Sequence, residues 1–361
     1  MPTVYDVARL AGVSTATVSR VMRSSDLVRP VTRDRVLAVI EEVGFVPDAS
    51  AQGLSRRRKD IIGLVGLERG VDESGIERDG LLFVDVVVHA VEAVLRGTGT
   101  SLLLSFGRAG EQFHHRIRAL SGKVDGLLVV EEALAPAQLR ALARRLPVVV
   151  IAAPAGEAAL DVVRVDNPAG MRALATHLTT VHGYRRLGFV GGPRDAPDAM
   201  ERLAAFATAV RGVPGGTVDV VPGGDFSEAS GRTAARVLLG REAIPEAVAC
   251  ANDQMAIGVM RELQRSGLDV PGDVAVAGFD NIYPGRVVEP ALTTVGQPVR
   301  ELGVRAAARL MGRIEGSTEP PHAETLPTEL VIRRSCGCPG RVREDLPPAS
   351  AGSLRPARCA R

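Results

Sequence analysis

Eight short apolar runs, spaced by segments long enough to hold a helix, constrain the fold of this chain more than any other feature. They read IIGLVGL, TSLLLSF, DGLLVV, PVVVIAA, RLGFVGG, TVDVVPG, EAVACAN and DVAVAGFD, between residues 61 and 280. Unbroken Val/Leu runs of this length predict parallel strands buried on both faces, and the spacers predict helical crossovers. Eight such units exceed one comfortable sheet. The expected body is two α/β lobes with a ligand crevice between them. The stretch VVRVDNPAG, residues 162–170, reads as a crossing between lobes. Further crossings are expected near residues 281–290 and 295–300, with a helix over 299–315 returning to the first lobe. Aromatic residues make up only 3% of the chain and Trp is absent, so Val, Leu, Ile and Ala must fill the core.

The opening residues follow a different rule. Thr3 can cap a helix starting at Val4, with Asp6 in the capping-box position. Val7, Ala8 and Leu10 supply an apolar stripe, and Gly12 can take the positive φ that ends the helix. Ser14 caps a second helix over residues 15–22 that buries Val18 and Val21. Pro30 suits the first turn of a third, with Val36, Val39, Ile40 and Val43 on one face and Gly44 past its end. Three helices with a tight bend between the first two describe a helix-turn-helix.

The second helix presents Thr15, Ala16, Thr17, Ser19, Arg20 and Arg23, which are short or basic, as a helix entering a DNA major groove must be. On pattern alone, a helical subdomain that merely packs is the alternative. Charge favours DNA: residues 1–60 hold ten Lys/Arg against seven Asp/Glu, so they are net +3 while the other 301 residues are net −1. A basic head on a neutral body points to a polyanion partner for the head.

The runs DVARLAGVSTATVSRVM and TRDRVLAVIEEVGFVPDASAQGLSRRRKDIIGLV resemble the head of the lactose-repressor (LacI/GalR) family of bacterial transcription regulators. The resemblance is dense over residues 3–66 and resumes later. It implies that Thr15 and Ala16 reach base edges, that Arg20 reads bases, and that Tyr5, Ser14, Thr17 and Ser19 hold phosphates. Ala16 can offer only an apolar contact, and Arg29 stands where many relatives place a capping Ser. Residues 47–55 would form a hinge helix when two subunits meet on DNA, with Leu54 wedged into the minor groove. Gly53 favours the alternative of a plain linker, and Asp48 departs from the family's usual Asn: it would cap a hinge helix while repelling phosphates.

The body resembles the periplasmic-binding-protein fold that this family carries as its effector domain. The resemblance places Asn252 of ANDQMA in the cleft, with Asp253 capping the following helix. Asp280 of GFDN would accept hydrogen bonds from sugar hydroxyls, and Arg202 of ERLAAF would donate them. Gln297 of TTVGQP is a further candidate, and Phe226 of GGDFSE matches a position offering an aromatic face. A longer, acidic segment over 68–83 replaces a short pocket loop of the relatives, with Phe83 standing in for its aromatic residue.

The expected architecture is an all-α helix-turn-helix head (1–46) and a hinge (47–60). A two-lobed α/β effector and dimerisation domain of parallel sheets follows (61–340), then a disordered tail (341–361). The tail has no Leu heptads, so it offers no coiled coil. No run of about 18 apolar residues exists to span a membrane, and the N-terminus lacks an export signature, so a cytoplasmic protein is expected. There is no G-x-G-x-x-G, Walker A, H-E-x-x-H or G-x-S-x-G motif, so no catalytic residue or cofactor is assigned. Cys336 and Cys338 of SCGCPG have no nearby Cys/His partner set; His322 is the closest His. They read as free thiols rather than a zinc site, and no metal is expected. The functional expectation is a homodimeric repressor that binds a pseudo-palindromic double-stranded operator under the control of a small effector, a sugar.

Overall fold

The computed structural model describes residues 2–23, 28–45, 58–67, 81–130, 133–152 and 160–339. The chain falls into two compact units: Met1–Ile61 with Lys123–Asp125, and Ile62–Gly122 with Gly126–Arg361.

The head holds helices α1 (Val4–Ala11), α2 (Thr15–Arg23) and α3 (Pro30–Val43). The capping box forms as its residues dictate: Asp6 N–H donates to Thr3 Oγ1, and Thr3 N–H donates to Asp6 Oδ2 at 2.9 Å. Gly12 ends α1 at φ +63°. Val7, Ala8, Ala11, Val18, Val21 and Val36 form the core, joined by Val39, Ile40 and Val43. Leu10 is not part of the inner stripe. It is 52% exposed, and Ala11 takes the inward position three residues after Ala8. Arg29 makes no side-chain cap for α3, which begins instead on Pro30.

All eight apolar runs are strands, and four more join them. In order, the body holds β1 (Ile61–Leu67), α4 (Leu81–Leu95), β2 (Ser101–Gly107), α5 (Glu111–Ser121), β3 (Gly126–Val130), α6 (Pro136–Ala143), β4 (Val148–Ile151) and β5 (Asp161–Val165). The second lobe adds α7 (Asn167–Thr176), β6 (Arg186–Val190), α8 (Pro197–Arg211), β7 (Thr217–Val221), α9 (Glu228–Leu239), β8 (Ala247–Cys250), α10 (Asp253–Arg265), β9 (Ala275–Asp280), α11 (Tyr283–Val287) and β10 (Thr293–Gly296). Helix α12 (Val299–Ile314) and strand β11 (Ala323–Leu326) return to the first lobe, and β12 (Glu329–Val331) closes the second.

One sheet runs β11-β5-β4-β3-β1-β2 and the other β12-β10-β9-β8-β6-β7, two copies of one strand order. β10 and β12 pair antiparallel, whereas β3, β4, β8 and β9 pair with parallel neighbours and are buried on both faces.

The chain leaves the first sheet after β5 and returns through α12, as residues 162–170 and 295–300 lead one to expect. The crossing expected near 281–290 is absent. β9 and β10 are adjacent parallel strands of the same sheet, and α11 is their crossover. The third crossing lies instead at residues 327–328, between β11 in the first sheet and β12 in the second. Both of these strands are too short and polar to stand out as apolar runs. Strand β5 hides for a related reason: Asp161 and Arg164 interrupt its pattern, yet both are buried, Asp161 on Arg313 at 2.6 Å and Arg164 on Glu201 at 2.7 Å.

In the second lobe α9 and α10 approach backbone to backbone. A Cβ on Gly258 would lie 2.1 Å from the Glu228 carbonyl oxygen, and one on Gly231 would lie 2.1 Å from that of Met255. This close crossing seats α10 so that its N-terminus meets the ends of β8 and β9.

Candidate effector cleft and DNA-reading face

Helix α2 turns two faces in opposite directions. Val18 and Val21 are 0% and 3% exposed, whereas Ala16 and Arg20 are exposed and Thr15, Thr17 and Ser19 are half-buried. Thr17 N–H donates to Ser14 Oγ at 3.1 Å, and the two hydroxyls lie 2.9 Å apart, so Ser14 fixes where the helix starts. Tyr5 on α1 is 74% exposed. The side chain of Arg23 and all of Leu54 lie outside the described residues.

The second constellation gathers at the carboxyl ends of β8 and β9, where open α/β sheets bind ligands. Its centre is Arg202, on α8 and only 4% exposed. Its guanidinium carbon stands 3.7 Å from the centroid of the Phe279 ring. Nε donates to Asn167 Oδ1 at 2.8 Å and Nη1 donates to the Ala251 carbonyl at 2.8 Å. Nη1 is 3.6 Å from Asp280 Oδ1, and Nη2 is 3.7 Å from Asp198. A buried guanidinium needs this many partners, because an unmatched buried charge costs several kcal/mol, on the order of the 3–5 found for broken buried pairs.

Gln297, just past β10, donates through Nε2 to Asp280 Oδ1 at 2.6 Å. Asp280 and Asn281 have φ of +116° and +61°. Two successive non-glycine residues in that region cost about 1–3 kcal/mol each and persist only where neighbours hold them. Here Arg202 and Gln297 hold Asp280, while Arg333 Nη2 donates to Asn281 Oδ1 at 2.6 Å.

The capping role expected of Asp253 falls to Asn252. Asn252 caps α10, accepting from Met255 N–H at 3.0 Å, and donates through Nδ2 to the Phe226 carbonyl at 2.9 Å. Asp253 is fully buried beneath, accepting from Ile282 N–H at 2.9 Å and from Thr294 Oγ1 at 2.5 Å. Burial above all, then the charge of Asp280, pushes its carboxyl well above the usual carboxylate range. Phe226 sits at φ +72° with its ring against Gly192, where a Cβ would come within 2.7 Å of it.

Arg202, Asp280 and Gln297 thus form one network. Asn252 and Phe226 form a second, joined to the first because Ala251 and Asn252 are consecutive. Phe83 stands apart on α4, packed on the core of the first lobe. The strand-end segments of that lobe, residues 68–80, 131–132 and 153–159, lie outside the described residues. Asn167, Asp198 and Glu201 belong to the network with no motif to announce them. Asn167 follows β5 at the crossing, and Asp198 lies one helical turn before Arg202, which is the only trace they leave in the sequence. Guanidinium, carboxylate and amide groups over an aromatic floor can orient a hydroxylated ligand.

The expectation for Cys336 and Cys338 needs correction. They are free thiols, but His177 and His182, not His322, lie beside them: Cys338 Sγ is 3.6 Å and 3.4 Å from the two Nε2 atoms. Folding brings together ligands separated by 156–161 residues, a distance no sequence spacing rule covers.

Known proteins match the chain in both its head and its body. The family model of bacterial regulatory proteins, lacI family, matches residues 3–48, and that of the periplasmic binding protein-like domain matches residues 175–336. The HTH-type transcriptional regulator CelR of Thermobifida fusca is 36% identical over 343 residues, 92% of this chain and 98% of that protein. The chain belongs to the lacI family of bacterial regulatory proteins. A solved transcriptional regulator CelR–cellobiose complex is similar at 35% identity and TM-score 0.67, covering 93% of this chain and 100% of that one. The lac repressor dimer bound to operator and the anti-inducer ONPF is similar at 28% identity and TM-score 0.81, covering 93% and 99%. As a lacI-family member the chain is a helix-turn-helix transcriptional regulator whose DNA-binding head is joined to an effector-responsive body. No described helix is long and apolar enough to cross a membrane.

Proposed function

We propose that this lacI-family regulator represses transcription as a homodimer on a pseudo-palindromic operator, and that a sugar in the cleft sets its operator affinity. Residues 1–46 are the reading head, 47–60 the hinge, and 61–340 the effector and dimerisation body. Thr15, Ala16 and Arg20 read base edges, Ala16 by apolar contact alone, while Tyr5, Ser14, Thr17, Ser19 and Arg23 hold phosphates. Leu54 wedges the minor groove, as apolar side chains do when they bend DNA.

The observation that carries the effector site is the set of contacts from Arg202 and Gln297 to Asp280 at the strained end of β9. Asn252 and Phe226 flank it, and the family resemblance adds Phe83, which packs on the core of the first lobe. A carboxylate held between donors can exchange one of them for a ligand hydroxyl, and the lobes can then shift against each other. That coupling is typically worth 1–3 kcal/mol, about 5–150-fold in operator affinity. The relative solved with cellobiose supports a glucoside as the first effector to try. No reaction is assigned: the relatives are regulators, and among the described residues the cleft pairs no nucleophile with a general base.

The test is an operator selected from random DNA by the full-length protein, titrated by fluorescence anisotropy with and without a panel of mono- and disaccharides. At least one sugar should change the affinity five-fold or more. A panel that binds in calorimetry yet never alters operator affinity would remove the regulatory role of the cleft.

A further inference from the structure

The second lobe carries a cluster that neither the operator nor the effector uses. His177 and His182 stand at the two ends of one irregular turn, because α7 runs on into a π-helical segment, His177–Val181. Such π segments are uncommon and concentrate at functional sites. Cys336 and Cys338 come from the turn after β12, at the far end of the body. Nε2 of His177 is 3.2 Å from Nε2 of His182, 3.5 Å from Cys336 Sγ and 3.6 Å from Cys338 Sγ. Nε2 of His182 is 3.4 Å from Cys338 Sγ, and all four ligand atoms lie within 4.8 Å of one another.

We propose that His177, His182, Cys336 and Cys338 hold one divalent zinc-class ion in a closed tetrahedral centre. With metal–nitrogen bonds of about 2.0–2.1 Å and metal–sulfur bonds of about 2.3 Å, a tetrahedron has N···N edges of roughly 3.3 Å and N···S edges of roughly 3.5 Å. The edges measured here match both. Two sulfurs and two imidazoles in a tetrahedron select zinc over oxygen-loving magnesium or calcium. Binding replaces the two thiol protons, which pass to solvent. A 2+ ion with two thiolates and two neutral imidazoles is then a neutral centre, the form that burial tolerates. Burial lowers the proton affinity of both rings, and the charge of His182 adds to the effect at His177.

The surroundings are built to aim the ligands. Gly337, between the two cysteines, sits at φ +99°, and a Cβ there would come within 3.2 Å of Tyr184 Oη and 3.4 Å of the His182 ring. The Tyr184 ring stacks on His182 at 5.4 Å, and its hydroxyl donates to the Cys336 carbonyl at 3.3 Å. Ser335 is buried, donating to the Val276 carbonyl and accepting from Thr293 N–H, which pins the turn to the second sheet. Four protein ligands leave no open position, so the role is structural rather than catalytic. The ion clips the end of the body to the first helix of the second lobe, closing a loop of about 160 residues.

Full-length protein, reduced and stripped with chelator, should take up one equivalent of cobalt(II). The expected spectrum has the intense visible bands of tetrahedral coordination and a thiolate charge-transfer band in the near ultraviolet, both abolished by one equivalent of zinc. Zinc should protect two thiols from a disulfide reagent and raise the melting temperature by several degrees. Cys336→Ser with Cys338→Ser, and separately His182→Ala, should lose the cobalt bands. The weak spectrum of hexaaqua-like cobalt, no thiol protection, or an unchanged spectrum in either variant would overturn the site. The measurements on the unsubstituted protein decide the matter even if a variant fails to fold.

Discussion

Arg202 and Asp280 meet at 3.6 Å over the ring of Phe279, with their side chains 5% and 13% exposed. Each is the other's buried counter-charge, and each holds a separate element: Arg202 grips the crossing residue Asn167, and Asp280 holds Gln297 just past β10. A ligand that enters this network competes with contacts at two of the three lobe crossings, and on that basis we propose that the cleft is coupled to the head.

Arg202→Ala should therefore cost stability as well as response. Removing one partner of a buried pair typically costs about 3–5 kcal/mol. The variant should still bind operator without effector but fail to respond to it. Asp280→Asn, which keeps an acceptor for Gln297, should fold better and lose the response alike. Calorimetry on the effector checks the assignment: a variant that binds it with full affinity takes that residue out of the pocket.

Arg20→Ala tests the reading face. An Arg bidentate to guanine carries about 1–3 kcal/mol of discrimination. Competitive gel shifts should show operator affinity falling towards that for random DNA, with little change in random-DNA affinity or in melting temperature. Unchanged preference would leave Arg20 as a phosphate contact.

Leu54→Ala should weaken specific binding and reduce the bend measured by circular permutation, while the salt slope stays near the parent value. That slope counts phosphate contacts, and Leu54 makes none. Neutralising Arg56, Arg57, Arg58 and Lys59 should do the reverse, lowering the slope and weakening all sequences alike. Parent-like bending in Leu54→Ala would make residues 47–60 a plain linker.

Much of this was written in the chain in readable form. Thr3, Asp6, Gly12 and Ser14 act locally, within one turn of the groups they cap, so sequence suffices to place them. Six of the eight apolar strands are legible because both of their faces are buried; β2 and β7, at the sheet edges, are partly exposed yet keep enough Leu and Val to read as strands. Strands β5, β10, β11 and β12 are not: the paired charges Asp161 and Arg164 lie inside β5, and the other three are only three or four residues long and carry Thr or Glu. The cleft divides in the same way. Asp280, Arg202 and Gln297 stand out as strand-end or helix residues in recognisable motifs. Asn167 and Glu201 matter only through contacts that folding creates, and so do the imidazoles beside Cys336 and Cys338. Asn252 and Asp253 show the limit most plainly, since either could cap α10 and only the bonds to Thr294 and Ile282 draw Asp253 away and leave the cap to Asn252.

Stability of the second lobe should respond to pH through Glu246. Its carboxylate accepts from Arg186 N–H at 2.8 Å and Arg185 N–H at 2.7 Å, and these bonds hold its pKa below the ordinary glutamate value. A depressed folded pKa means stability that is present above the unfolded pKa and is lost as pH falls through the folded one. Glu246→Ala should cost about 1–2 kcal/mol at pH 7, and the gap to the parent should close under acid. Urea melts at neutral and acidic pH measure it; a pH-independent gap would contradict the assignment.

Gly258→Ala should destabilise the same lobe through packing. The new Cβ would stand 2.1 Å from the Glu228 carbonyl oxygen, so α9 and α10 must separate. Overpacking of this kind costs about 1–3 kcal/mol or more. Thermal melts should show the loss, and a parent-like melting temperature would mean the two helices are not in backbone contact.

The central claim, that the cleft around Arg202 and Asp280 controls the head, is tested most directly by one paired titration. Operator affinity of the full-length dimer is measured by anisotropy across a series of effector concentrations, for the parent and for Asp280→Asn. The parent should shift by 5-fold or more, within the usual range of allosteric coupling, while Asp280→Asn binds operator as tightly as the effector-free parent and does not shift. An Asp280→Asn titration that tracks the parent across the whole effector range would contradict the account.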